Sequence, residues 1–176
     1  MKFFSGFSLQ NEAYLFENFL RENEYTVSGF SYGAIKAFKY AQEELKKGRR
    51  VDTLQLLSPA FFQTQSKKFH RLQMLSFTKE RKKYMQTFID TCFAPYEKRE
   101  LEFTKTTKEE LEELEELLSY EWSVPELLEM QSKGVKIEVY LGGKDAIIDV
   151  EESRKLFLDV ATVTYIKEAN HFLQLS

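Results

Sequence analysis

The pentapeptide Gly29-Phe30-Ser31-Tyr32-Gly33 sets a serine between two glycines. That spacing suits a hydroxyl carried on a tight turn, where a Cβ at either flank would crowd the backbone. Residues Tyr25 to Ser28 before it are β-prone, and Ala34, Ile35, Ala37, Phe38 and Ala41 follow at helical spacing. A helix starting at that point aims its free amides at an oxygen held by the serine. Ser31 is therefore a candidate nucleophile, and a serine hydroxyl attacks a carbonyl only when a base removes its proton. The chain offers two histidines, His70 and His171. His171 follows the last predicted strand, whereas His70 falls in a basic helical stretch. Asp145 closes the turn Gly142-Gly143-Lys144-Asp145 after another predicted strand, with Asp149 as the alternative acid. The order Ser31, Asp145, His171, each at a strand end, fits a nucleophile, the acid that orients its base, and the base itself. The chemistry expected is ester hydrolysis through an acyl-enzyme. Its oxyanion would be held by the backbone amides of Tyr32 and of Phe7, the latter in the loop Ser5-Gly6-Phe7-Ser8. Such chemistry needs no cofactor and no metal.

The elements that must position these residues can be read in order. Lys2-Phe3-Phe4 is a short strand, and Asn11 to Glu22 has helical spacing with Asn11 as its N-cap. A strand leads into Ser31, and the helix after it stops at Lys46-Lys47-Gly48. Asp52 to Ser58 is a buried strand. This alternation predicts an α/β class domain with a mostly parallel sheet. Residues 60–133 are almost free of glycine and predict several helices, a cap inserted into a core made of 1–59 and 134–176, one domain overall. Within the insertion, Lys108 to Ser119 (KEELEELEELLS) is acidic and reads as a solvated helix face. Beyond it, Val135 to Leu141 predicts a strand, Glu151 to Asp159 a helix and Ala161 to Ile166 the last strand.

Composition narrows the setting. A chain of 176 residues with 43% apolar and 30% charged residues can bury a sizeable core. A net charge of −3 and the lack of a recognition motif argue against nucleic acid as a partner. The single cysteine, Cys92, excludes an internal disulfide and argues against a metal-thiolate cluster. The opening MKFFSGF is too short an apolar run for a signal peptide, and no run approaches membrane-spanning length. A cytoplasmic protein with no membrane partner is expected.

The segments MKFFSGF, VSGFSYGAIKA, GVKIEVYLGGKDAIID and NHFLQ together resemble the compact bacterial esterases of the BioV type, which hydrolyse the methyl ester of pimeloyl-acyl carrier protein in biotin synthesis. The resemblance runs along essentially the whole chain and is loosest in the Glu-rich middle. It implies a reduced α/β-hydrolase fold with a helical cap and a sheet of five strands or fewer. It places the triad on Ser31, Asp145 and His171. The loop after the first strand, commonly His-Gly in this fold, is Ser5-Gly6 here, which touches the loop's conformation rather than its backbone amides. An acyl chain would need an apolar tunnel, for which the insertion offers Phe62, Phe69, Leu72, Leu75, Phe77, Tyr84 and Phe88, with Phe7 and Tyr32 beside the reacting centre. An acidic carrier protein would be steered by Lys67, Lys68, Arg71, Lys79, Arg81, Lys82 and Lys83. Two other readings compete: a general short-acyl esterase or thioesterase with the same triad, and a hydrolase-like binding module without catalysis.

Overall fold

A computed structural model describes residues 1–103 and 107–176. In chain order its elements are β1 (Lys2–Phe4), β2 (Leu9–Gln10), a 3-10 turn (Glu12–Phe16), β3 (Thr26–Phe30), α1 (Tyr32–Lys46), β4 (Thr53–Leu57), α2 (Lys67–Lys79), α3 (Arg81–Phe93), β5 (Glu102–Phe103), α4 (Thr107–Ser119), α5 (Val124–Ser132), β6 (Lys136–Gly142), α6 (Val150–Leu158) and β7 (Thr162–Ile166). Five strands form one sheet in the order β1-β3-β4-β6-β7, and every neighbouring pair is parallel. The short β2 and β5 pair antiparallel beside it, with Leu9 opposite Phe103.

The central strands are buried on both faces, which is why β3 is buried at all five positions and does not alternate. Helix α1 turns Ala34, Ile35, Ala37, Phe38 and Ala41 inward, the stripe read from its spacing. Helices α2, α3 and α4 lie between β4 and β6 in sequence, as the long glycine-poor run predicts. The end of that run returns to the main core. Trp122 donates its indole N–H to the Ala60 carbonyl at 2.9 Å and meets the rings of Phe38 and Phe157 edge-on. Leu127 and Met130 of α5 are buried there too. Among the described residues no helix is long and apolar enough to cross a membrane.

Two expectations fail for physical reasons. The helix expected over Asn11 to Glu22 is only one 3-10 turn, and Asn11 has φ 60° with no capping bond. Its side-chain amide instead donates to Glu102 at 2.7 Å. Phe16 is packed 4.8 Å from the Phe30 ring and 6.4 Å from Phe172, so burial at the sheet outweighs continuation of the helix.

The acidic run on α4 is not simply a solvated face. Glu110, Glu113 and Glu116 all bond inward. Glu113 accepts from Lys36 of α1 at 2.5 Å, Glu116 accepts from Tyr32 and Lys39, and the buried Glu110 accepts from Ser8 and Arg81. A three-residue step keeps carboxylates on one side of a helix, and Lys36 and Lys39 of α1 repeat that step.

Candidate active site

Ser31 stands between the end of β3 and the first residue of α1, at φ 52° and ψ −115°. This left-handed backbone is strained for a serine and turns its side chain out of the strand. Both flanking glycines are sterically required. A Cβ on Gly29 would lie 2.1 Å from the Gly33 carbonyl oxygen, and one on Gly33 would lie 2.0 Å from that of Phe4. The turn is pinned to the end of β4 by two bonds: Ser31 N–H donates to Leu57 at 2.9 Å, and Ala60 N–H donates to Ser31 at 3.1 Å.

Asp145 follows β6, and His171 follows β7. One carboxylate oxygen of Asp145, Oδ1, accepts from the amides of Ile147 at 2.8 Å and Ile148 at 3.3 Å. The other, Oδ2, lies 2.6 Å from His171 Nδ1. His171 Nε2 is in turn 3.0 Å from Ser31 Oγ. Amide donors that fix the carboxylate leave Oδ2 to accept the Nδ1 proton, so the neutral ring presents a lone pair at Nε2 toward the serine hydroxyl. The imidazole lies 5.1 Å from the ring of Phe30. Its loop is tied down by Asn170, whose side-chain amide donates to the Phe93 carbonyl at 2.7 Å. His171 and the Asp145 side chain have no exposed surface, and Ser31 is 5% exposed. The contact between Ser31 Oγ and His171 Nε2 is thereby shielded from water.

The alternative acid is occupied elsewhere. Asp149 is the N-cap of α6, accepting from the Glu152 amide at 3.2 Å, and its other oxygen accepts from Thr64 Oγ1 at 3.1 Å. His70 lies on α2 with Nε2 3.3 Å from the Phe62 carbonyl, outside the triad-like chain.

Tyr32 opens α1, so its amide sits at a helix N-terminus, and Phe7 lies in the loop after β1. The Tyr32 side chain is buried, donates its hydroxyl to Glu116 and, like Ser31 and His171, does not line the cavity described next. Burial and that carboxylate push its phenol pKa up.

A cavity of about 770 Å³ lies beneath the inserted helices, and Phe7, Phe62, Phe69, Tyr84 and Phe88 contribute to its wall. Tyr84 donates to Gln73 at 2.9 Å, and burial, with Cys92 nearby, pushes its phenol up to about 12. Ile147, whose amide holds Asp145, also lines the cavity, whereas Ser31 and His171 do not. Leu72 and Leu75 do not face it as expected: they point outward, 50% and 59% exposed. Phe77 is buried instead between Phe7 and Tyr84. Leu114, Leu117 and Leu118 of α4 complete the wall. Their helical stripe is visible in the sequence, but nothing there says that it faces a cavity.

The basic residues divide. Lys67, Lys68 and Arg71 are exposed on α2 and Lys82 on α3, while Lys79 and Lys83 reach the cavity wall. Arg81 is not free for a partner as expected, because its guanidinium forks onto buried Glu110, with Nη2 at 2.7 Å from Oε1.

No protein-family model matches the chain, and no curated protein matches it. Solved structures do resemble it. BioG from Haemophilus influenzae is 12% identical with a TM-score of 0.59, over 97% of this chain and 87% of its own. Carboxylesterase CesB from Bacillus subtilis is 17% identical with a TM-score of 0.56, over 85% of this chain. The hydrolase olei00960 from Oleispira antarctica is 11% identical with a TM-score of 0.59, over 85% of this chain and 59% of its own. The chain spans about half, 54%, of the length of the Bacillus subtilis structures it resembles. With the parallel five-stranded sheet, these likenesses establish the fold as that of the α/β-hydrolases.

Proposed function

We propose that this α/β-hydrolase-fold chain is a serine carboxylesterase that cleaves the methyl ester of pimeloyl-acyl carrier protein. The observation that carries the chemistry is the continuous chain Ser31 Oγ, His171 Nε2, His171 Nδ1, Asp145 Oδ2, with steps of 3.0 and 2.6 Å. In the first half-reaction Ser31 Oγ bonds to the ester carbon while its proton passes to His171 Nε2. The carbonyl electron pair moves onto oxygen, which the amides of Tyr32 and Phe7 receive. The carbon–methoxy bond then breaks, and the departing oxygen takes the proton from Nε2 and leaves as methanol. In the second half, water gives a proton to Nε2 and attacks the acyl carbon. The carbonyl re-forms, Ser31 leaves and regains its proton from Nε2, and the pimeloyl carboxylic acid is freed and gives its remaining proton to solvent. The Asp145 carboxylate, its Oδ1 held by two amides, faces the imidazolium through Oδ2 and stabilises that charge.

The substrate choice rests on the resemblance to BioV-type esterases, and two features agree with it. The aromatic-lined cavity is large enough for an extended acyl chain. Exposed cations on α2 and α3 suit an acidic carrier, with Lys79 and Lys83 at the cavity itself. The test is incubation with methyl pimeloyl carrier protein, read by mass for loss of the methyl group. Loss with the native chain and none with Ser31→Ala is the expected result. Turnover of free short-chain esters or thioesters with none of the carrier-bound ester would make the protein a general esterase or thioesterase. A native chain that takes no fluorophosphonate label at Ser31 would be a binding module instead.

A further inference from the structure

The loop from Gly6 to Ser8 is held from both sides by buried carboxylates. Gly6 N–H donates to Glu12 Oε1 at 2.7 Å, and the Ser8 hydroxyl donates to Glu110 Oε1. Ser8 has no exposed surface and sits at φ 60°, a backbone state that a serine rarely adopts without support. Leu9 N–H closes the turn onto the Gly6 carbonyl at 3.1 Å. Phe7 lies between the two tethers, its ring 6.2 Å from Phe77 and 5.8 Å from Phe88. Glu110 is 1% exposed and is neutralised by the Arg81 fork, so its carboxylate is fixed in place and charge-compensated. Six positions further along α4, Glu116 accepts the hydroxyl proton of Tyr32. One helix thus bonds to side chains in both segments that carry the amides assigned to the oxyanion in the proposed reaction.

We propose that Glu110, through Ser8, is a positioning residue that sets the Phe7 amide in the oxyanion site, so that docking of α4 and assembly of that site are one event. This rests on the serine-esterase reading but not on the choice of ester. An amide donor acts only if it points where the oxygen will be, and displacing catalytic groups by about 1 Å can cost about 100-fold in rate. Nothing in the inference requires Glu110 or Ser8 to touch the substrate.

The experiment uses any ester that the native chain turns over in a Ser31-dependent way, together with a peptidyl or alkyl aldehyde that adds to Ser31 and places its oxygen in the same site. Ser8→Ala is expected to lower kcat by about 10- to 100-fold, with KM changed less than about threefold, and to weaken aldehyde binding in proportion. Glu110→Gln keeps an acceptor for the Ser8 hydroxyl and should retain most of kcat, whereas Glu110→Ala should match Ser8→Ala. If Glu110→Ala fails to fold, Ser8→Ala and Glu110→Gln still decide. A folded Ser8→Ala variant with kcat and aldehyde affinity within about twofold of native overturns this inference alone. A native chain with no Ser31-dependent turnover of any ester overturns the esterase reading and this inference with it.

Discussion

His171 Nε2 lies 3.0 Å from Ser31 Oγ although 140 positions separate them in the chain. The contact is made because β3 and β7 both run parallel within one sheet, so both residues leave the same end of it. In open parallel α/β sheets that end is where ligands meet the protein. The contact also lies inside the protein rather than on it, with the imidazole fully buried.

Removing members of this chain should separate Asp145 from Asp149. Ser31→Ala and Asp145→Ala should each lower kcat by about 10⁴-fold, with the folded state retained. Asp149→Ala removes a helix cap and the exposed bond to Thr64, neither of which touches His171, so kcat should stay within a few-fold while stability falls by about 1 kcal/mol. Steady-state kinetics and a denaturant titration of each variant check this. Equal kinetic losses at Asp145 and Asp149 would contradict the geometry.

Gly33→Ala should be far more damaging than an ordinary glycine substitution. The added methyl would lie 2.0 Å from the Phe4 carbonyl oxygen, and that backbone belongs to β1. A loss of about 3 kcal/mol or more is expected, visible as a fall in Tm or as insoluble protein.

The cavity should set acyl-chain preference. Phe88→Trp fills part of a wall shared with Phe7 and Tyr84, and should lower kcat/KM for a long-chain methyl ester about tenfold relative to the acetate. Phe88→Ala should leave long-chain turnover and broaden the range. Parallel losses on all chain lengths would place the acyl group elsewhere.

Charge reversal at Arg71 and Lys82, both exposed, should raise KM for a carrier-bound ester several-fold at low salt. The effect should shrink as salt rises and be absent for a free methyl ester. An unchanged KM would remove these two residues from the docking surface.

Acid should destabilise the fold partly through Glu138 of β6. Its carboxylate is buried and accepts from Arg21 at 2.8 Å and Lys136 at 2.7 Å. Burial alone would raise its pKa, but Lys136 and Arg21 outweigh burial and hold it below the ordinary value of 4.5. A folded-state pKa below the unfolded one gives stability that is present above the unfolded value and is lost as pH falls through the folded value. Glu138→Gln should therefore lose less stability than the native chain between about pH 6 and about pH 3. Urea titrations at the two pH values check this, and identical losses would show that the group contributes nothing.

The sequence by itself determined the residues of the candidate site and the sheet that carries them. Glycines two positions either side of Ser31, strand-like runs before Ser31, Asp145 and His171, and their order along the chain are local properties, readable without knowing any partner. Only the tertiary structure decided what depends on which surfaces meet. It gave Asp149 to a helix cap and Asp145 to His171, although both aspartates follow the same strand. It halted the helix after Asn11 because Phe16 packs on Phe30, and it turned Leu72 and Leu75 outward while Leu114 faces the cavity. The glutamates of α4 make the point most clearly. A period-three row of carboxylates reads the same whether it faces water or a lysine row on another helix. Only the docking of α4 against α1 and the β1 loop turned Glu110, Glu113 and Glu116 toward partners that lie far away in sequence.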